Sequence, residues 1–145
     1  MTTKLVIGLD GHSSGERALE FGKGLASQLG ECELIVLYVI EWSPYSFQTA
    51  EENAVRHKRR EEEISTATER VITPAVATLE GAGLKATGLV RHGDVADTIN
   101  AVAKEQGAAQ IVVAKSTDQS LSKRIFGSST ASLVMEATVP VTVVS

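Results

Sequence analysis

Five short runs of mostly apolar residues, separated by longer amphipathic segments, constrain the fold of this chain more than any other feature. The runs are residues 5–9, 34–40, 85–90, 111–114 and 139–144. Because their apolar positions are continuous and often β-branched rather than alternating, they predict strands that are covered on both faces. The alternation of strands and helices predicts an α/β fold with a doubly wound, five-stranded parallel sheet. The expected strand order is 3-2-1-4-5, with helices on both faces.

Capping residues and a proline indicate where the intervening helices begin and end. Ser13 and Glu16 form a capping box for the first helix. A long helical stretch follows over about residues 51–79, and Pro74 predicts a kink or a break near Thr73. The other predicted helix boundaries are Gly30, Asp94, Gly107 and Gly127.

Size and composition are typical of a single globular domain. The chain has 145 residues, of which 43% are apolar and 22% are charged, and we expect one domain over residues 1–145. The net charge of −4 provides no broad basic surface, so neither nucleic acid nor an anionic membrane is an expected partner. Cys32 is the single cysteine and cannot form an internal disulfide. Because no apolar run is long enough to cross a membrane, the expected location is the cytoplasm.

The loops that follow strands one and four are predicted to form a ligand crevice. In a sheet of this order, ligands bind at the carboxyl ends of the strands where the order reverses, between strands one and four. The loops are residues 10–15 and 115–120, and Lys115 and Lys123 could add positive charge. The second loop leads to small residues that suit a phosphate at a helix opening: Gly127, Ser128, Ser129 and Thr130. The alternative is that residues 128–130 only cap the last helix.

Several segments and one spaced motif carry a resemblance to a known family. The segments are 6–11 (Val-Ile-Gly-Leu-Asp-Gly), 38–39, 91–94 (Arg-His-Gly-Asp), 111–113 and 139–144. In these segments, and along essentially its whole length, the chain resembles the universal stress protein family. ATP-binding members of that family carry a late motif of Gly, two residues, Gly, nine residues, and then Gly-Ser or Gly-Thr. The matching positions are Ala114, Thr117, Gly127 and Ser128, so the spacing and the final Gly-Ser are present while both leading glycines are replaced.

The resemblance implies an adenine nucleotide site. Asp10 and Val39 match positions that lie against adenine in the family. The positions that hold phosphates match Gly127, Ser128 and Thr130. ATP, accompanied by Mg²⁺, is therefore the candidate cofactor. The family contains members that bind ATP and members that lack the motif and do not bind it.

The two replaced glycines bear on whether phosphate still binds. A glycine in such a loop permits positive φ and lets a phosphate come close to the main chain. Ala114 adds a methyl group that a strand end with negative φ tolerates, whereas Thr117 is β-branched and resists positive φ. Lys115 either pairs with a phosphate or folds over an empty site.

The last apolar run predicts a homodimer. An exposed strand edge from Val139 to Val144 would be an aggregation hazard, and pairing with a second copy removes the exposure. The resemblance also implies dimers through this strand. A strand covered by a helix of the same chain is the alternative.

No arrangement of residues predicts a catalytic triad or a metal site. His12, His57 and His92 do not have metal-ligand spacing. The charged run at residues 56–63 is expected to be a solvated helix face.

The leading interpretation is a non-catalytic regulatory dimer that responds, during stress, to an adenine nucleotide or to a protein partner. One alternative is an enzyme that slowly hydrolyses ATP or phosphorylates itself on Ser128, Ser129 or Thr130, with Asp10 and Asp118 as candidate metal carboxylates. A further alternative is a protein-interaction module that binds no nucleotide. The replaced glycines favour this last interpretation, and the final Gly-Ser favours the first.

Overall fold

A computed structural model describes residues 2–11, 13–41, 50–115 and 125–145 of the chain. The strands are β1 (Thr3–Leu9), β2 (Cys32–Glu41), β3 (Lys85–Gly93), β4 (Gln110–Ala114) and β5 (Val141–Val144). The helices are α1 (Ser13–Leu29), α2 (Ala50–Ala67), α3 (Thr73–Gly81), α4 (Val95–Gln106) and α5 (Ile125–Glu136), with a π-helical turn (Thr68–Ile72) between α2 and α3. Within these described ranges, no helix is both long enough and apolar enough to cross a membrane.

The five strands form one parallel sheet in the order β3-β2-β1-β4-β5, which confirms the predicted topology. β1 lies at the centre, where Ile7 is in register with Val36 of β2 and Val112 of β4. Successive side chains of a strand point to opposite faces of the sheet. Leu5 and Ile7 therefore face one helical layer and Val6 faces the other, and all three are fully buried.

Two apolar clusters, one on each face of the sheet, hold the layers together. The first packs the sheet against α1, the π-helical turn and α3, and its members include Leu5, Ile7, Ala18, Leu34, Val36, Ile72 and Leu79. The second packs the sheet against α4 and α5, and its members include Val6, Ile35, Leu37, Ile99, Val102, Ile111 and Leu133. Burial on both faces explains why the strand sequences are continuously apolar.

The predicted boundaries of α1 and α4 are confirmed. The carboxylate of Asp94 accepts the N–H of Asp97 at 3.0 Å, which is an N-cap hydrogen bond. Gly107 follows α4 with a φ of 66°, in the left-handed conformation that commonly ends a helix. α1 begins at Ser13, the first residue of the capping box, and ends immediately before Gly30.

The long helical stretch breaks at Thr73, as Pro74 predicts, but the break is a π-helical turn rather than a simple kink. The N–H of Thr73 donates to the carbonyl of Thr68, five residues earlier. Pro74 has no N–H, and its ring would clash with a carbonyl of the preceding turn in a regular α-helix. The wider turn relieves that clash, and Ile72 packs into the first apolar cluster.

Two predicted boundaries near the end of the chain were wrong. α5 begins at Ile125, two residues before the predicted Gly127, because large apolar residues such as isoleucine carry no sequence mark of a helix start. β5 begins at Val141 rather than at Val139, because Pro140 has no N–H to donate to the ladder. β3 also continues past residue 90, and it pairs with β2 as far as the end of β2.

Candidate functional site

The carboxyl ends of β1 and β4 lie side by side at the point where the strand order reverses. β1 has β2 on one side and β4 on the other. Asp10 follows β1 directly and Lys115 follows β4, so both lie at this edge. α1 begins beside the end of β1, and α5 follows β4 in the crossover to β5. The strand order therefore has its switch point here, and doubly wound sheets bind ligands at such positions, so the crevice stays predicted at this edge.

Asp10 holds the first turn of α1. Its Oδ1 accepts the N–H of Gly15, with an N–O distance of 3.0 Å, and its Oδ2 accepts the hydroxyl of Ser14. Ser14 is 2% exposed, and a Cβ added to Gly15 would lie 3.0 Å from Oδ1, so the chain closes tightly around the carboxylate. The negative charge also lies near the positive end of the α1 dipole. Asp10 therefore stabilises one wall of the crevice, and its contact with adenine stays a prediction.

Arg17 links α1 to the end of β4. Its Nη2 donates a hydrogen bond to the main-chain carbonyl of Lys115, 98 residues later in the sequence. The N–H of Lys115 donates in turn to the carbonyl of Val144 at 2.7 Å. Arg17 is half-buried and lies at the edge where a ligand is expected. Sequence reasoning missed this residue, although an arginine one turn after the Ser13 capping box of a helix that starts at the ligand edge is a usable signal.

Val39 contributes to the core through its side chain. It is 9% exposed and packs in the second apolar cluster, which faces α4 and α5. The β1–β2 pairing ends at Leu9 and Tyr38. Val39 is therefore the first residue of β2 that has no β1 residue beside it. Only the main chain of Val39 is therefore placed to meet a ligand at the crevice.

The two replaced glycines of the motif fall on different parts of the structure. Ala114 is the last residue of β4 and is in register with Val144. In the part of the chain that the structure describes, no residue other than glycine has a positive φ, so Ala114 tolerates its side chain as predicted. Thr117 lies outside the described residues. So do three other residues named from the sequence: His12, Asp118 and Lys123.

The first turn of α5 presents main-chain donors. The first N–H groups of an α-helix have no partner within the helix, and in α5 these include the N–H groups of residues 125–127. Gly127 therefore lies where a phosphate could accept its N–H group, and Ser128 follows it directly. Ser129 and Thr130 are half-buried and lie in the second turn. Because α5 begins before them, the alternative interpretation of residues 128–130 as helix caps is wrong.

Two grooves lie beside the π-helical turn, one next to α1 and α3 and the other next to β2 and α2. One has a volume of about 370 Å³ and runs from Leu9 and Gly11 along α1 to α3. The other has a volume of about 490 Å³ and lies between Tyr38 and α2. Both are lined by Arg70 and Val71. Among the predicted site residues that the structure fully describes, neither groove is lined by any of Asp10, Val39, Ala114, Ser129 and Thr130.

The described residues do not form a metal centre or a reactive thiol. Among residues 2–11, 13–41, 50–115 and 125–145, no group of three or more His, Cys, Asp or Glu side chains is placed to hold a metal ion. Burial raises the pKa of the Cys32 thiol, which disfavours the nucleophilic thiolate. Cys32 begins β2 and so lies at the opposite edge of the sheet from the crevice.

The fold defines a doubly wound α/β domain, a class that contains many nucleotide-binding proteins and that binds ligands at the switch point of its sheet. The model of the universal stress protein family matches residues 1–145, and the chain belongs to that family. None of the curated proteins matches the chain.

Solved structures of the family share this fold. The universal stress protein UspA from Lactobacillus plantarum is 21% identical, with 99% of this chain and 97% of that chain covered and a TM-score of 0.82. A family protein from Burkholderia pseudomallei is 23% identical, with 98% and 95% covered and a TM-score of 0.69. A universal stress protein from Archaeoglobus fulgidus, solved in complex with dAMP, is 20% identical, with 100% and 98% covered and a TM-score of 0.59. At these identities the likeness shows the fold alone.

Proposed function

We propose that the chain is a regulatory homodimer of the cytoplasm that binds an adenine nucleotide, with ATP as the first candidate, at the crevice between β1 and β4. The observation that carries this proposal is the first turn of α5, where Gly127 offers a main-chain donor and stands, with Ser128, at the motif spacing of the family. Three structural neighbours are complexes with cAMP, dAMP or AMP, which supports an adenine nucleotide as the ligand class.

Each wall of the crevice would meet a different part of the nucleotide. The main chain at Val39, beyond the last β1–β2 pair, would face the adenine ring beside Asp10. The phosphates would lie against the start of α5, where the helix dipole favours an anion. Mg²⁺ would accompany ATP through its phosphate oxygens and water molecules, which are its usual ligands. Asp10 already accepts two hydrogen bonds from α1, which favours binding of the nucleotide over its hydrolysis.

A calorimetric titration with ATP and Mg²⁺ tests the proposal through one variant and a matched control. Gly127→Val places a branched side chain in the first turn of α5 and should abolish binding. Ala131→Val makes a similar change one turn later, at an exposed position, and should leave the affinity unchanged. Both variants should keep the circular dichroism spectrum of the parent protein. Equal affinity in the parent protein and Gly127→Val would refute the placement of the phosphates.

Apolar side chains beside the edge strand support the homodimer. β5 pairs with β4 and lies at the end of the sheet order. Val143 of β5 is 39% exposed, and Val134 and Met135 of α5 are 52% and 83% exposed. A second copy that covers this surface would bury these side chains and protect the strand edge. Val143→Lys should therefore shift the protein toward monomer in sedimentation equilibrium, whereas Val55→Lys, on exposed α2, should not.

A protein-interaction module without a nucleotide is the second candidate. It is favoured by Lys115, whose N–H donates to Val144 and so offers no main-chain donor to a phosphate at the end of β4. The two candidates differ in the same titration. If the folded protein binds no ATP at millimolar concentration, the interaction module replaces the nucleotide-binding dimer.

A further inference from the structure

The guanidinium of Arg17 lies at the end of β4, beside the position where the ligand is predicted. Arg17 stands in the early part of α1, and its Nη2 donates to the carbonyl of Lys115 at the end of β4. α1 follows β1, so this hydrogen bond joins the helix after β1 to the end of β4, and the ligand is expected between these two strands. Arg17 therefore places a positive side chain beside the end of β4.

Main-chain donors near this position are already used by the protein. The N–H of Lys115 donates to Val144, and the N–H of Gly15, in the first turn of α1, donates to Asp10. The motif of the ATP-binding family members has glycines at positions 114 and 117, whereas this chain has Ala114 and Thr117. A phosphate at the β1–β4 junction would therefore need side-chain donors in addition to the start of α5.

Arg17 can supply those donors. A guanidinium carries five N–H groups in a planar fork that matches the oxygens of a phosphate. One of them is directed to Lys115, and the ion pairs found among the described residues do not include Arg17. Its positive charge is therefore available to an anionic ligand.

We propose that Arg17 binds the phosphates of the nucleotide in place of the lost glycine loop, so that the site selects adenine nucleotides with two or three phosphates over AMP and adenosine. The inference rests on the proposed nucleotide site and adds its specificity. A site that depends on a side-chain cation should also bind ATP more weakly as salt increases, while its affinity for adenosine should not change.

Calorimetric titrations with ATP, ADP, AMP and adenosine test the inference in the parent protein and in Arg17→Gln. The parent protein should bind ATP and ADP more tightly than AMP, and adenosine most weakly. Arg17→Gln should lower the affinity for ATP by about 10- to 100-fold, the usual effect of losing a charged hydrogen bond, and leave adenosine unchanged. Arg70→Gln is the matched control, because Arg70 lines the grooves on the other side of α1 and carries the same charge.

The outcomes separate this inference from the proposed function. Equal affinity of the parent protein for ATP and adenosine overturns the inference and leaves the nucleotide site standing. The inference is also overturned, with the nucleotide site left standing, if Arg17→Gln leaves the affinities for ATP and adenosine unchanged or lowers both equally. Arg17 would then act only through its hydrogen bond to Lys115. If the parent protein binds none of the four ligands, both proposals fail. Should Arg17→Gln not fold, the salt dependence of ATP and adenosine binding to the parent protein decides the question.

Discussion

Replacing Gly88 with alanine should destabilise the fold through one defined collision. Gly88 lies in β3 beneath the π-helical turn, and a Cβ at this position would collide with Cγ2 of Ile72 and lie 3.2 Å from Cγ2 of Val76. The methyl of Ile72 branches directly from Cβ, so it cannot rotate away as the end of a long side chain can. Ile72 is also 4% exposed, so the π-helical turn itself has to shift.

The expected loss in the free energy of unfolding follows from the usual effect of overpacking a core. Forcing one extra methyl group into a packed core costs about 1–3 kcal/mol, and we expect about 2 kcal/mol for Gly88→Ala. At roughly 4 °C for each kcal/mol in a chain of this size, the melting temperature should fall by about 8 °C. Urea unfolding followed by circular dichroism measures the free energy of unfolding directly.

A matched substitution and a double mutant test the cause. Gly81→Ala changes a glycine at the end of α3 where an added Cβ meets nothing within 4 Å, and it should be neutral or stabilising by about 0.5 kcal/mol. Ile72→Ala removes the colliding methyl group, so Gly88→Ala should cost less in that background than alone. If Gly88→Ala is as stable as the parent protein, or costs the same with Ile72→Ala, the packing argument is refuted.

Three further predictions concern polar groups. Asp10→Ala removes the acceptor for the start of α1 and should lower the free energy of unfolding by about 1 kcal/mol in urea titration; no loss would show that the carboxylate does not support the helix. Burial raises the pKa of Cys32, so iodoacetamide should modify the native thiol much more slowly than the unfolded one at mildly alkaline pH, and equal rates would contradict its burial. A hydrogen bond to Asp97 and the negative charge of that carboxylate raise the pKa of Glu136, so Asp97→Asn should lower this pKa in a carboxyl NMR titration, whereas Lys104→Gln should not.

The sheet order and most helix boundaries could be predicted because they depend on local chemistry. Continuous β-branched runs indicate strands that are covered on both faces, and such strands with helical connections leave few topologies. Asp94 and Gly107 bound α4 through hydrogen bonds and backbone conformations that their own residue types favour. The start of β5 was misplaced by two residues, since the apolar pattern outweighed the missing N–H of Pro140.

The features that escaped prediction depend on contacts between distant segments. In the π-helical turn, Ile72 packs on Gly88 of β3. Such a fit between a helix and a strand is not visible in a periodic sequence pattern. Arg17 reaches Lys115 only because α1 packs beside β4, 98 residues away in sequence. The role of Asp10 was predicted from family resemblance as adenine contact, while its hydrogen bonds to Ser14 and Gly15 emerged from the loop geometry.

Amide NMR of isotope-labelled protein, titrated with ATP and Mg²⁺, tests the central claim most directly because it reports both binding and position. The account predicts saturable shifts at Val39, Gly127 and Ser128, with the signals at Arg70 and Val71 unchanged. Shifts confined to the grooves around Arg70 and Val71, or no shifts at millimolar ATP, would contradict a nucleotide site between β1 and β4.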